Sequence, residues 1–150
     1  MRRAICITEP SSCFAGEEDN FKFIYTPSVS LPKGTRLRFD LATRNTPVDW
    51  QIPEVDPKKK GNLICGYMAG EKPIFPKPIE RSNLFCPLFE FILPLELKAG
   101  ESFTIFLGDI FHKGEEKNRA QKIIQRRRAF SLFVEIKGKG ETEEIFHIDI

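Results

Sequence analysis

A basic run at positions 113–128 is the part of the sequence best able to bind a charged partner. Seven lysines and arginines oppose two glutamates there, so the run carries a local charge of +5. Arginine guanidinium groups match the geometry of phosphates and carboxylates. The run therefore predicts an anion-binding patch, or a docking surface for an acidic protein. Its candidate binding residues are Arg119, Arg126, Arg127 and Arg128. The alternative is a solvated surface whose charge is offset by the acidic C-terminal segment.

Two aromatic residues in predicted loops could extend this patch into a carbohydrate site. Trp50 has an apolar residue two positions away on each side, Val48 and Ile52, and Phe75 lies within a Pro-x-x-Pro motif. Trp50 is a candidate binding residue, although a single Trp with apolar neighbours more often anchors a core. The Pro-x-x-Pro motif is more typical of a rigid surface loop. The basic run lacks interleaved aromatic residues, on which single-strand binders depend, so nucleic acid is not an expected partner.

The sequence contains no common catalytic fingerprint. The nucleophile-elbow, zinc-protease, phosphate-loop, dinucleotide-binding and EF-hand motifs are all missing from it. Its two histidines, His112 and His147, are too few for a multi-histidine metal site. Asp109 and His112 lie close together in sequence and leave open an enzyme with a site dispersed over loops. We predict no catalytic residue, no metal and no cofactor.

The cysteines and the N-terminus indicate a cytoplasmic protein. Four cysteines occur without a C-x-x-C spacing, and the apolar run after Arg3 is too short for a signal-peptide core. Free, partly buried thiols are therefore expected. No stretch approaches the roughly 20 apolar residues of a membrane span, so a membrane is not an expected partner.

The elements that must position these residues are predicted to be short β-strands. Apolar and polar residues alternate in segments such as 21–25, 37–41, 103–107 and 130–136, and Pro- and Gly-rich loops separate them. Eight or nine such strands are typical of an all-β, antiparallel β-sandwich, immunoglobulin-like or related. A chain of 150 residues with 14 phenylalanines is long enough to form one such domain with its own core. We expect Leu37, Phe39, Phe103 and Ile105 to share that core.

Two further elements are predicted near the C-terminus. Ala120, Ile123 and Ile124 recur at three- and four-residue spacing, which indicates one short helix within residues 115–128. Residues 145–150 alternate apolar and polar side chains and are expected to form a hairpin with residues 130–136, with Phe146 and Ile148 buried. This alternation continues to the final residue, so we expect the chain to continue into something larger.

Several of these segments also resemble a known family. The stretches are residues 31–41, 49–53, 118–121 and 125–130. They are similar to the N-terminal region of a family of large uncharacterised prokaryotic proteins, in which a region similar to PHP-type metal-dependent hydrolases follows. The resemblance implies that residues 1–150 are the N-terminal β-sandwich domain of a larger protein. Its motifs are not catalytic ones, so it implies an accessory role.

These observations favour a non-catalytic accessory or interaction domain whose partner is the remainder of the parent chain. One alternative is a module that binds an anion or a carbohydrate through residues 126–128 and loop aromatics. The other is an enzyme with a dispersed loop site.

Overall fold

The chain folds into two antiparallel sheets that pack face to face. The computed structural model describes residues 3–42, 49–59, 61–81, 84–108 and 117–150, except for the side chains of residues 84 and 85. Its strands are β1 (Ile5–Glu9), β2 (Glu18–Asp19), β3 (Phe21–Thr26), β4 (Arg36–Asp40), β5 (Leu63–Met68), β6 (Lys77–Arg81), β7 (Leu84–Ile92), β8 (Phe103–Gly108), β9 (Asn118–Arg119), β10 (Arg128–Ile136) and β11 (Gly140–Ile148).

The first sheet has the strand order β1-β3-β8-β5, and the second has the order β11-β10-β4-β7-β6. Strands β2 and β9 form a separate two-stranded ribbon at one end. Every pairing between these strands is antiparallel. The predicted antiparallel sandwich architecture is therefore confirmed.

Aromatic side chains join the two sheets. The ring of Phe23 in β3 lies 4.9 Å from Phe39, 4.7 Å from Phe130 and 5.5 Å from Phe146, measured between ring centroids. Those three partners belong to the opposite sheet. Such tilted and edge-to-face contacts add to the free energy gained from burying the rings. The predicted shared core is also confirmed, because Leu37, Phe39, Phe103 and Ile105 are all fully buried.

The C-terminal hairpin forms as predicted. Strands β10 and β11 pair over nine residues, with Phe130 opposite Phe146. The connecting turn places Gly138 at a φ of 80°, a conformation that glycine adopts without a steric penalty. Phe146 and Ile148 are buried against the opposite sheet. The period-two pattern predicted these two strands correctly because one face of the hairpin lies in the core and the other does not.

The predicted helix is wrong over its described part, residues 117–128. Residues 118 and 119 form strand β9, and the segment that follows consists of turns and bends. Ala120 is fully buried, whereas Ile123 and Ile124 are exposed, so the three do not share a face. The backbone amide of Ala120 donates to the carbonyl of Glu17. This tertiary hydrogen bond replaces one that a helix would have needed. Residues 115 and 116 lie outside the described residues.

Within the part of the chain that the structure describes, no helix is long and apolar enough to cross a membrane.

Candidate functional site

Four of the predicted binding residues, Arg119, Arg126, Arg127 and Trp50, belong to one end of the sandwich, which we call the loop end (residues 11–17, 49–51, 117–127 and 147–150). The fifth, Arg128, begins strand β10 next to it. Asp149 is held by Ser11 and Cys13: its amide donates to the carbonyl of Ser11 at 3.0 Å, and its carbonyl accepts from the amide of Cys13 at 2.9 Å. Ile150 exchanges two backbone hydrogen bonds with Gln125, at 2.9 and 3.1 Å. The last residues of the chain therefore lie between two loops and join them.

The same two loops are joined again further along. The amide of Gly16 donates to the carbonyl of Gln121 at 2.8 Å, and Glu17 accepts from Ala120 at the same distance. Glu17 also accepts a hydrogen bond from the amide of Phe14 through its carboxylate, at 3.0 Å. These contacts set the positions of residues 12–17 and 121–126 relative to each other.

Arg128 does not lie at the surface. It is fully buried, and its guanidinium carbon lies 3.8 Å from the ring centroid of Phe130 and 5.5 Å from that of Trp50. The guanidinium donates to the carbonyls of Leu41 and Ala129 and to Oε1 of Gln121. Each of its three nitrogens thus donates a hydrogen bond inside the protein.

Burial lowers the pKa of Arg128 to about 9, and the nearby carboxylate of Asp40 opposes this shift. Because that pKa lies above neutral pH, Arg128 keeps its positive charge at neutral pH. Asp40 is itself paired with Arg81 through two hydrogen bonds of 2.9 and 3.0 Å. Arg128 therefore stabilises the loop end from within the core.

Trp50 is also part of the core. Its indole is buried against Phe21 and Phe130, with ring centroids 5.1 and 5.2 Å away. The indole Nε1 donates to Oδ1 of Asn118 at 2.5 Å, and the amide group of Asn118 donates to the carbonyl of Gln51 at 3.0 Å. Neither Trp50 nor Arg128 can contact a bulky ligand without repacking of the core. Phe75 is half-buried and does not line the pocket described below.

Arg119 is half-buried, and its guanidinium is engaged by its neighbours. It donates to the carbonyls of Ala120 at 3.1 Å and of Asp49 at 3.0 Å. The carboxylate of Asp49 in turn accepts from the amide of Lys122 at 3.1 and 3.2 Å. Arg119 therefore fastens residues 49–51 to the loop that follows β9.

Arg126 and Arg127 are the two predicted arginines whose side chains are exposed. The amide of Arg127 donates to the carboxylate of Asp149 at 2.7 Å, and its guanidinium lies 3.5 Å from Nδ1 of His147. Arg126 makes no hydrogen bond or ion pair with any residue that the structure describes. It lines an open pocket of about 560 Å³. The other residues that line this pocket are Ser12, Cys13, Phe14, Glu17, Asp149 and Ile150.

Exposed apolar side chains lie on the two loops that contribute to this pocket, and of these Phe14 lines it. The three most exposed large hydrophobic residues in the described ranges are Phe14 at 82%, Ile124 at 78% and Ile123 at 67% of their full accessible area. All three lie on the two loops joined above. Sequence reasoning missed Phe14, because it belongs to no alternating strand, and it assigned Ile123 and Ile124 to the inner face of a helix.

No protein-family model matches the chain. Over 155 aligned positions it is 40% identical to a protein of Chlamydia muridarum, 38% to one of Chlamydia trachomatis and 36% to one of Chlamydia pneumoniae, each described as uncharacterized. The alignments include all of this chain but only 25% of each relative. The chain thus spans about a quarter of the length of the relatives that it matches.

The similarity to solved structures is low, as one of the matched chains shows. Its description reads "AvmM Catalyzes Macrocyclization in Alchivemycin A Biosynthesis". It is 12% identical with a TM-score of 0.40, and the match covers 98% of this chain and 88% of that one. A likeness of this degree assigns no activity to the chain.

Cys13 lies in the wall of the pocket but is not activated as a nucleophile. Burial raises the pKa of its thiol to about 11, and the carboxylates of Glu17 and Asp19 add to the shift. The reactive thiolate is therefore scarce at neutral pH. All four cysteines are free thiols.

The other chemical candidates add no second site. Asp109 and His112, the pair proposed for a dispersed enzyme site, lie outside the described residues. His147 is half-buried in β11 beside Arg127, and its pKa is lowered by burial and by that arginine. Across the described ranges there is no group of three or more His, Cys, Asp or Glu residues that could hold a metal ion.

Proposed function

We propose that this chain is a non-catalytic interaction domain of a longer protein, and that it packs against another part of that protein through the loop end. The observation that carries the proposal is that the three most exposed large hydrophobic residues of the described ranges, Phe14, Ile123 and Ile124, all lie on the two joined loops of this end, where Phe14 lines the open pocket. Fully burying such side chains stabilises a protein by about 1.5–3 kcal/mol each. An exposed apolar patch with a polar rim is typical of an interaction surface.

The length of the relatives supports the same proposal. Each protein matched is about four times as long as this chain, because 100% of this chain aligns with 25% of the relative. A domain within such a protein needs a surface for its neighbours, and interfaces between domains resemble transient protein interfaces in size and polarity. The loop end has a suitable composition, because exposed apolar residues, arginines and carboxylates all occur there.

Backbone hydrogen exchange tests this proposal. The exchange of residues 12–17 and 121–127 is compared between the isolated 150-residue chain and the complete product of its gene. We expect slower exchange in the complete product at these two segments, because docking excludes water from them. The turn at residues 28–34, at the opposite end of β3, is the internal control and keeps its rates.

Equal exchange in both proteins at residues 12–17 and 121–127 would overturn the proposal. A gene product of only 150 residues would overturn it as well, since no further region would exist to dock.

A second candidate function is the binding of an anionic polymer or sugar. It is favoured by the exposure of Lys122, Arg126 and Arg127 on one loop and by the lack of a partner for Arg126 among the described residues. Titration with heparin at low ionic strength is the test. We expect Arg126→Glu to weaken binding by about tenfold and Lys33→Glu, an exposed control at the opposite end, to change it little. Absence of binding at low ionic strength would eliminate this candidate.

Other expectations from the sequence remain predictions. These are a PHP-like hydrolase region elsewhere in the longer protein, a cytoplasmic location, an immunoglobulin-like or related form of the sandwich, and a dispersed enzyme site at Asp109 and His112.

A further inference from the structure

We infer that three glutamates near the start of strand β11 prevent this edge of the five-stranded sheet from pairing with a second copy of the chain. They are Glu141, Glu143 and Glu144. Their segment, residues 140–144, lies outside the loop end, so this role is independent of the proposed function. We call the segment the open half of β11.

The other half of β11 is covered by strand β1. The hydroxyl of Thr8 donates to the carbonyl of His147 at 2.7 Å, and the sulfur of Cys6 accepts from the backbone amide of Ile145. Backbone groups of β11 that point away from β10 therefore have partners at residues 145 and 147.

The open half has no such cover from the described residues. β11 is the last strand of its sheet, and no described strand pairs with residues 140–144 on the side away from β10. Because backbone groups alternate in direction along a strand, the amides and carbonyls of Glu141 and Glu143 point to the same side as those of Ile145. Unpaired groups of this kind are a template for a strand from another molecule.

Glu144 opposes such pairing from the inner face of the sheet. It lies opposite Leu132, which is fully buried, and two residues before the buried Phe146. Its carboxylate is half-buried near Tyr25 and Cys6, and no cation among the described residues pairs with it. Burial raises the pKa of Glu144. An added strand would remove the remaining water from this carboxylate without pairing it, which is strongly unfavourable.

Glu141 and Glu143 oppose pairing from the outer face. Two copies that paired antiparallel about Thr142 would place Glu141 of each copy opposite Glu143 of the other. Like charges directly opposite each other destabilise a strand pair. Arg38 pairs with Glu141 at 3.2 Å, but it is shared with two further glutamates and so does not neutralise this edge.

Sedimentation velocity over a range of protein concentrations tests this inference. The triple variant carries Glu141→Thr, Glu143→Thr and Glu144→Thr. We expect its dimer dissociation constant to fall at least about tenfold below that of the unmodified chain, with slower backbone hydrogen exchange at residues 140–144 in the dimer. The matched control removes three exposed glutamates that lie outside the strands, by Glu71→Thr, Glu96→Thr and Glu101→Thr.

Reversal of charge on the outer face gives an independent measurement that leaves the inner face unchanged. The double variant Glu141→Lys and Glu143→Lys is mixed with the unmodified chain, so that each lysine can meet a glutamate. We expect the mixture to associate about tenfold more strongly than either protein alone.

A triple variant that associated no more strongly than its control would overturn the inference. So would a mixture that associated no more strongly than its two components. Association that left exchange at residues 140–144 fast would use another surface and would overturn it as well.

Discussion

At the scale of single residues, the position of Arg128 shows how a charge can serve as part of a core. Its guanidinium lies between aromatic rings and carbonyl oxygens, so both its flat face and its edge have partners. Arginine tolerates such a site better than lysine because its charge is delocalised and weakly hydrated. The cation holds Leu41 and Gln121 close to strand β10.

Arg128→Ala should therefore lower the free energy of unfolding by about 3–5 kcal/mol, because it leaves buried acceptors without a donor and opens a cavity. Urea unfolding followed by the fluorescence of Trp50 measures this. Arg126→Ala is the matched control and should change stability by no more than about 0.5 kcal/mol, since its side chain is exposed and unpaired among the described residues. If the two substitutions changed the free energy of unfolding equally, Arg128 would not have this stabilising role.

Burial also predicts slow cysteine chemistry. The pKa is raised to about 11 for Cys13 and Cys86 and to about 12 for Cys6 and Cys65, with burial as the largest cause in each case. Only the thiolate reacts with iodoacetamide, so at about pH 7.5 we expect Cys13 to be alkylated about 100-fold more slowly in the folded protein than in urea. The folded rate should rise about tenfold per pH unit up to about pH 11. Native and unfolded rates that agree, measured by mass spectrometry, would contradict this.

At the scale of elements, the β10–β11 hairpin has two structural roles. It closes one edge of the five-stranded sheet, and its end carries Asp149 and Ile150 to the loop end. Thr8 in β1 donates to the carbonyl of His147 at 2.7 Å, which ties the edge strands of the two sheets together. Loss of this hairpin would expose the core and would also remove part of the wall of the pocket.

Phe146→Ala should cost about 3–5 kcal/mol in the free energy of unfolding, because Phe146 is fully buried against Phe23. Ile145→Ala, one position earlier on the opposite face, is the control and should cost about 1 kcal/mol or less.

Deletion of residues 145–150 should leave the protein insoluble. If a chain ending at Glu144 melted at an unchanged temperature, the last strand would be dispensable and this account of the hairpin would be wrong.

At the scale of the whole molecule, the pairing of charged side chains differs between the outer face of the five-stranded sheet and the loop end. On the outer face of the five-stranded sheet, Arg38 pairs with Glu90 at 2.9 Å, Glu135 at 2.8 Å and Glu141 at 3.2 Å. These groups satisfy one another without a ligand. The loop end differs because its exposed cations lack carboxylate partners among the residues that the structure describes, and because Lys122 and Arg126 flank the exposed Ile123 and Ile124 on one loop.

The double substitution Phe14→Ser and Ile124→Ser should therefore alter association without altering the fold. We expect the free energy of unfolding to change by about 1 kcal/mol or less, because both side chains are exposed. Retention on a hydrophobic column should become shorter, and aggregation on heating should slow. Val29→Ser, at an exposed apolar position near the opposite end of β3, is the comparison. If Val29→Ser shortened retention as much as the double substitution, the loop end would not be the dominant apolar surface.

The sequence by itself determined most of the strands and the C-terminal hairpin. In a sheet with one buried face, alternate side chains must be apolar, so the pattern around Phe39, Phe103 or Phe146 reports both the strand and its inner face. These are properties of neighbouring residues, and they can be read within a window of a few positions.

Only the tertiary structure decided the roles of the candidate site residues. Arg126, Arg127 and Arg128 have identical side chains in consecutive positions, yet one is buried because it meets the carbonyl of Leu41, 87 residues away in sequence. Likewise, the segment that contains Ile123 and Ile124 follows backbone contacts with residues 16 and 17 instead of its own helical spacing. Hydrogen bonds between distant segments compete with local preference and here prevail, since a buried polar group without a partner costs more than a weak helical propensity provides.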